Sequence, residues 1–407
     1  MSLEIGVVRV HIKTKRQTLM TFYFIFILFG LSVITVDPLI PVIAEQIQVG
    51  FDKIGIALFI GSIATLISNF IAGRLSDIMD IKKLVLFGLS LLLLGFALFG
   101  TYLNYIIFVM IIILLRMGFG TIDTTLHSFS SKLFRKDTSR IFLNIDISWY
   151  AGASVGPLLI SIVLYFNIEP RYLFFIIAFV YAVSAIIFYL ICPKKKIQDN
   201  KSPLGENIIP SGKKGLTSIK DPTIIIGSLI LFFYMGSIMG LSSWLTTYFL
   251  GFGIRVAYGS AILSLYWFLS ILGIVIAGRL LTRVKEITIL FFGCLIGTLC
   301  LCIFSFIPNV FAKITVLTIQ SIFFAGIFPL TTAISAQRDP ENSGTILGFI
   351  IALAFAGSIV FQPIYGYVAE YFGKNYIAYV ALAGALIGLV FTFILFRIFH
   401  QNNSGNI

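Results

Sequence analysis

Uncharged apolar runs long enough to cross a bilayer recur along this chain, and they limit its fold more than any other feature. Residues 172–192, from Tyr172 to Cys192, carry no charge at all. A helix of about 20 such residues spans a hydrocarbon core of about 30 Å. Many runs of this length follow one another, so the chain reads as an all-α polytopic membrane protein. Apolar residues make up 58% of it and charged residues only 11%, against about 25% charged in a soluble domain. A β-barrel would instead show short alternating segments with a polar lumen face.

The runs predict twelve transmembrane helices, at approximately 20–43, 54–74, 84–102, 105–128, 141–165, 172–192, 224–247, 257–277, 287–307, 312–335, 344–368 and 376–398. A polar linker rich in Lys, Gly and Pro separates six from six. The expected domains are therefore an N-terminal six-helix bundle (1–192), a cytoplasmic linker (193–221) and a C-terminal six-helix bundle (222–407). An internal repeat supports the division. The charged turn Gly73-Arg74-Leu75-Ser76-Asp77 after the second helix has a weaker copy, Gly278-Arg279-Leu280-Leu281-Thr282-Arg283, after the eighth.

The formal charge of +12 follows from topology. With both termini cytoplasmic, 23 of the 29 Lys and Arg fall in the N-terminal segment, the linker and the loops on that side. Five (Lys53, Arg171, Arg255, Lys313 and Lys374) fall outside, and Arg116 lies within a helix. This is the positive-inside bias, and it accounts for the charge, as does attraction to anionic lipid, without nucleic acid. The four cysteines sit in or beside apolar runs and read as small buried side chains. Three histidines make a histidine metal centre improbable, and no cofactor is expected. There is no nucleophile–base constellation and no phosphate-binding Gly-rich loop, so neither an enzyme nor an ATP-driven pump is expected.

Gly73, Leu75, Asp77, Lys82 and Lys83 match the loop between the second and third helices of the major facilitator superfamily, with Ile78, Asp80 and Ile81 departing from it. Arg116 followed by Gly120 resembles that family's fourth-helix pattern, and Gly152-x-x-x-Gly156-Pro157 the fifth-helix pattern of its efflux antiporters. Asp37 with Pro41 and Ala44 resembles the twelve-helix drug–proton antiporters. The resemblance implies two six-helix bundles rocking about a central site. It also implies gating at Gly73, Asp77, Lys82 and Gly278, with Arg135 or Arg140 as partner of Asp77.

Ionisable groups within a bilayer are costly and are functional candidates by default. Asp37 is the favoured proton-binding carboxylate; the alternative is a structural Asp capping a helix break before Pro38 and Pro41. Arg116 stays charged and organises proton transfer, binds an anion, or pairs with Asp37 or Asp123. Asp123 and His127, four residues apart, could stack as a proton relay. Asn144, Asp146 and Trp149 form a short polar patch facing either the cavity or the basic loop at 132–140. Gly152 and Gly156 share a face that admits a close neighbour, and Pro157 should kink its helix. In the second half Tyr234, Trp244, Tyr248, Tyr266, Trp267, Gln320, Phe324 and Gln362 are the expected cavity lining, with the outer aromatic belt as the alternative place for Trp244 and Tyr248. Gly357, Pro363 and Gly366 would let the eleventh helix bend.

The leading expectation is proton-coupled efflux of a lipophilic or amphipathic molecule. The alternatives are proton-coupled import of a sugar or small metabolite, and organic-anion transport through Arg116. The expected partners are the small-molecule substrate, protons and membrane lipid, with a monomer sufficient. The expected location is a bacterial or archaeal cytoplasmic membrane.

Overall fold

The computed structural model describes residues 2–101, 103–133, 138–191, 220–339 and 343–404. For residues 2–18, 77–78, 127–133, 138–143, 343–345 and 402–404 it describes the backbone alone. Among the described residues every element is helical: α1 (Ser2–Thr35), α2 (Ile40–Gln46), α3 (Phe51–Ile78), α4 (Ile81–Phe99), α5 (Tyr105–Leu133), α6 (Thr138–Tyr165) and α7 (Pro170–Ile191), then α8 (Pro222–Leu250), α9 (Val256–Leu280), α10 (Glu286–Phe306), α11 (Val310–Phe324), α12 (Ile327–Ala336), α13 (Ser343–Tyr371) and α14 (Ile377–Ser404). They supply twelve spans long and apolar enough to cross a membrane, as the sequence predicts. The first span is α1 with α2, and the tenth is α11 with α12.

Polar residues start several of these helices by accepting backbone N–H groups that have no partner within the helix. Asp80 accepts from Lys82 N at 3.0 Å. Asn309 accepts from Ala312 N at 3.0 Å. Asp221 accepts from Thr223 N at 2.7 Å, with Pro222 in the first-turn position that suits it.

Two spans are interrupted: the first at the helix break that the alternative reading of Asp37 places before Pro38 and Pro41, the tenth at a place that was not foreseen. Pro157 and Pro363 lie inside continuous helices, whereas the breaks fall at Val36–Leu39 and at Ala325–Gly326. Proline cannot bond the carbonyl four residues before it. Pro41 thereby frees the carbonyl of Asp37, and Pro329 that of Ala325, and at both places the α-helix gives way to a turn.

The chain forms two compact units. One comprises Met1–Val36 and Ile60–Ser202; the other comprises Asp37–Phe59 and Pro203–Ile407. In the first, α1 packs on α6 and α7, and α4 on α5 and α7. In the second, α8 packs on α13 and α14, and α10 on α11 and α14. The same pairing thus appears twice, carrying the repeat of the charged turns into tertiary structure. Close packing within the first unit depends on small residues. A Cβ at Gly152 would come within 1.9 Å of the Ile27 carbonyl oxygen, and one at Gly156 within 2.4 Å of that of Leu31. The pair therefore lets α6 lie directly on the backbone of α1. Tyr181 ties α7 to the same helix, its hydroxyl donating to Ser32 Oγ at 2.7 Å while its ring stacks on Phe96 of α4.

A buried polar chain at the first helix break

In the second unit the break after α1 carries a buried polar chain. Asp37 opens the turn and is 2% exposed. Its Oδ2 accepts from the Ser243 hydroxyl of α8 at 3.0 Å. Ser243 Oγ accepts from Gln362 Nε2 of α13 at 3.4 Å. Gln362 Oε1 in turn accepts from the Trp244 indole N–H at 2.9 Å. Ser243 and Trp244 are consecutive on α8, so one helix supplies two adjacent faces, one toward Asp37 and the other toward Gln362. The N-cap of α2 is Leu39, with no side-chain cap. The bond from Asp37 to Ser243 therefore runs across helices, and α2 starts without a capping carboxylate.

Two glycines place Gln362. A Cβ at Gly55 of α3 would lie 3.0 Å from the Gln362 carbonyl oxygen, and one at Gly366 of α13 would lie 2.5 Å from that of Phe51. The two backbones thus meet with nothing between them. Glu370 Oε2 accepts from Phe51 N at 2.7 Å, a carboxylate at a helix N-terminus. The Phe51 ring meets Trp244 edge to face at 6.0 Å. Trp244 and Tyr248 are both fully buried and so do not belong to an aromatic belt. A cavity of about 330 Å³ beside this joint is lined by Pro41, Glu45, Gln48, Phe51 and Lys374 among others; none of these belongs to the polar chain.

The other residues expected in the second half are buried in the same unit. Tyr234 of α8 meets Phe324 of α11 at 5.9 Å, and Tyr266 and Trp267 are 3% and 1% exposed. Gln320 sits one turn before Phe324, near the interruption of the tenth span. It is fully buried, and neither its amide oxygen nor its amide nitrogen has a hydrogen-bond partner. A buried amide in that condition is unusual.

In the first unit, Arg116 and Asp123 are half-buried on α5. The Arg116 backbone carbonyl accepts from Thr65 Oγ1 at 3.2 Å, and a Cβ at Gly120 would fall 2.1 Å from Ser68 Oγ. The Arg-x-x-x-Gly pattern is therefore also a packing seam between α3 and α5. Asn144 Nδ2 donates to Tyr23 Oη at 3.3 Å, with Asp146 and Trp149 half-buried further along α6. Lys82 donates to the Tyr189 carbonyl oxygen at 2.5 Å and lies over the Tyr189 ring, which ties α4 to the last turn of α7. Gly73 has Thr124 Cγ2 within ordinary contact, and Gly278 faces open space. Arg135 and the side chains of Asp77, His127 and Arg140 lie outside the described residues, and with them both the proposed relay and the Asp77 partnership.

Sequence reasoning missed Ser243, and it missed the burial of Lys313, counted on the outer side at the start of the tenth predicted helix. Lys313 is in α11 and 2% exposed. One available signal for Ser243 was the unusual polarity of Ser242, Ser243, Thr246 and Thr247 inside an otherwise apolar span.

Residues 22–350 match the Major Facilitator Superfamily. The glucose/mannose transporter GlcP of Bacillus subtilis is 23% identical over 359 residues, covering 85% of this chain and 86% of that one. A glucose/galactose transporter of Brucella abortus is 22% identical over 392 residues, covering 89% and 92%. Among solved structures, a bacterial homolog of the human lysosomal transporter Spinster superposes with a TM-score of 0.79 at 12% identity, covering 95% of this chain and 98% of that one. The nucleoside transporter NupG superposes with a TM-score of 0.71 at 15% identity, covering 95% and 99%. These relatives are not specifically drug–proton antiporters, so the resemblance holds at the level of the superfamily. The match covers most of the chain, and with the twelve spans and the twice-repeated packing it makes this integral membrane protein a member of the Major Facilitator Superfamily, a secondary transporter working by alternating access and not an enzyme.

Proposed function

We propose that the protein imports a sugar or a comparably hydroxylated small metabolite together with protons, with Asp37 as the proton-binding carboxylate. Gln320 carries this reading. Its donor and acceptor lie side by side and are both without a protein partner, and a sugar hydroxyl can satisfy each of them. The aromatic faces of Tyr234 and Phe324 lie close by in the same unit. The printed names of the relatives point the same way: glucose with mannose or galactose, and a nucleoside. Efflux of a lipophilic cation needs no pair of buried amide groups, so it is the weaker reading of this lining.

In this proposal the termini and the 193–221 linker are cytoplasmic, as the Lys and Arg asymmetry favours, and the membrane is a bacterial cytoplasmic membrane. The bundles 1–192 and 222–407 are the moving parts. Gly73, Asp77, Lys82 and Gly278 gate them, and Arg116 and Asp123 assist proton movement.

Purified protein in liposomes, given an inward proton gradient and labelled glucose, galactose, fucose or a nucleoside, tests this. Accumulation that D37N abolishes and Q320L lowers at least tenfold supports it. Proton-driven movement of a lipophilic cation with no sugar or nucleoside uptake would replace it with efflux. Uptake of an organic anion alone, lost in R116Q, would replace it with anion transport.

A further inference from the structure

The turn that ends α2 carries a glutamine where glycine is the usual residue. Gln48 N donates to the Glu45 carbonyl oxygen at 3.2 Å, and Val49 N donates to that of Ala44 at 3.0 Å. These two bonds are the Schellman closure of a helix, and its left-handed residue is most often Gly. Gln48 takes that place with φ 53°. A side chain there crowds the backbone, and Gly would adopt the same turn without strain. Gln48 thus holds a conformation that its own side chain opposes, which points to a use for that side chain.

Gln48 lines the cavity of about 330 Å³ beside the first helix break. Glu45 and Lys374 line it too, over an apolar wall that includes Pro41, Val49 and Leu250. All of these belong to the second unit. Two glycines bring Lys374 in. Gly373, with φ 110°, opens the turn that starts at Lys374. A Cβ at Gly251, just past the end of α8, would fall 2.9 Å from Lys374 Cβ. The Lys374 ammonium lies 5.3 Å from the centre of the Phe51 ring. Among the described residues neither Glu45 nor Lys374 forms an ion pair. The wall therefore carries an acceptor-only carboxylate, a donor-only ammonium and an amide that does both, with the two opposite charges left unjoined.

A simple ion matches one of these charges and is opposed by the other. A hydroxyl donates and accepts at once, so several on one sugar ring satisfy all three groups, while the C–H face of the ring fits the apolar wall. The volume is at the lower end of small-molecule sites, roughly 300–1,000 Å³, and suits a monosaccharide. We infer that this cavity is a second sugar site, separate from Gln320, with Gln48, Glu45 and Lys374 as its hydrogen-bonding groups. This rests on the sugar reading proposed above and on its topology, which puts Lys53 and Lys374 on the outer side. The site is then a capture point at the outer face, ahead of Gln320. Glu45 and Gln48 are exposed and Lys374 is half-buried. Water competes for all three, so the site binds weakly, in the millimolar range.

Saturation-transfer NMR, which reads weak binding, tests this on the full chain in detergent with glucose, galactose or fucose at millimolar concentration. Q320L is the background, because it removes the two amide groups of the other site. Q320L should keep a sugar signal. Adding Q48G should cut that signal about fivefold, as the loss of one ordinary hydrogen bond does. The thermal unfolding midpoint should stay level or rise, since Gly suits the turn. E45A leaves the turn unchanged and should cut the signal as far. A signal that survives Q48G and E45A undiminished overturns the inference, as does no signal in Q320L where the wild type gives one; in both cases the sugar reading stands. A signal from glycine and none from a sugar in Q320L, lost on adding Q48G, overturns it as well, because the cavity then holds a zwitterion. If the wild type binds none of the three sugars, the inference falls together with the sugar reading.

Discussion

Lys313 Nζ donates to the Tyr248 hydroxyl at 2.8 Å and to the Phe304 carbonyl oxygen at 2.7 Å, inside a box formed by the rings of Tyr248, Phe252 and Phe304 at 4.9–5.4 Å. No carboxylate among the described residues pairs with it. The cation is held by ring faces and two oxygens, which tie α11 to α8 and α10. A desolvated cation over aromatic rings is worth about 2 kcal/mol or more, and truncating its buried stem leaves a cavity as well.

Lys313→Ala should therefore lower stability by about 2–4 kcal/mol, measured as the thermal unfolding midpoint in detergent. Lys313→Met fills the same space without the charge and should lose the share of the cation alone, about 2 kcal/mol. Equal losses from the two variants would show that the charge, and not the stem, holds the three helices.

Gly152 and Gly278 should part company. A methyl group at Gly152 has the Ile27 carbonyl oxygen in its way, so Gly152→Ala must push α6 off α1 and cost at least the roughly 1–3 kcal/mol of an overpacked core. Gly278→Ala meets nothing. The monodisperse fraction on gel filtration should fall sharply for the first and stay at wild type for the second. Lost transport with intact folding in Gly278→Ala would support its gating role.

Gln320→Leu should separate stability from function. It removes two buried polar groups that have no protein partner, and an apolar group of similar shape avoids their desolvation penalty of about 1–3 kcal/mol. The unfolding midpoint should rise while uptake falls. A lower midpoint would mean that the amide is part of the structural core.

Lys82 should act as an anchor for the end of α7. Lys82→Met removes the bond to Tyr189 and the ring contact and should cost about 1–2 kcal/mol. Hydrogen exchange should then quicken in the last turn of α7 ahead of the rest of the first unit. Uniform exchange across the unit would argue against a local anchor.

Not every helix feature was legible in the residues. Pro157 and Pro363, expected to kink or bend their helices, lie inside continuous α-helices. The interruptions lie four residues before Pro41 and Pro329. A proline always frees one carbonyl, but whether the helix opens there depends on what else the backbone can bond to and pack against. Asp37, Gln320 and Gln362 stood out because polar groups are rare in apolar spans. Trp244 was left with two readings, because an amphipathic ring suits a membrane interface as well as a buried hydrogen bond.

The sequence alone determined the class, the twelve spans and the internal repeat. In hydrocarbon every backbone N–H must be satisfied within its own segment, so length and apolarity are enough to specify a spanning helix. Only the tertiary structure decided which polar groups meet. Asp37 and Ser243 are 206 residues apart, and Trp244 and Gln362 are 118 apart. The periodicity of one helix gives its faces but not the neighbour each face will have. That choice is made by packing, where the bare backbones at Gly55 and Gly366 let α3 and α13 close together and set Gln362 within reach of α8.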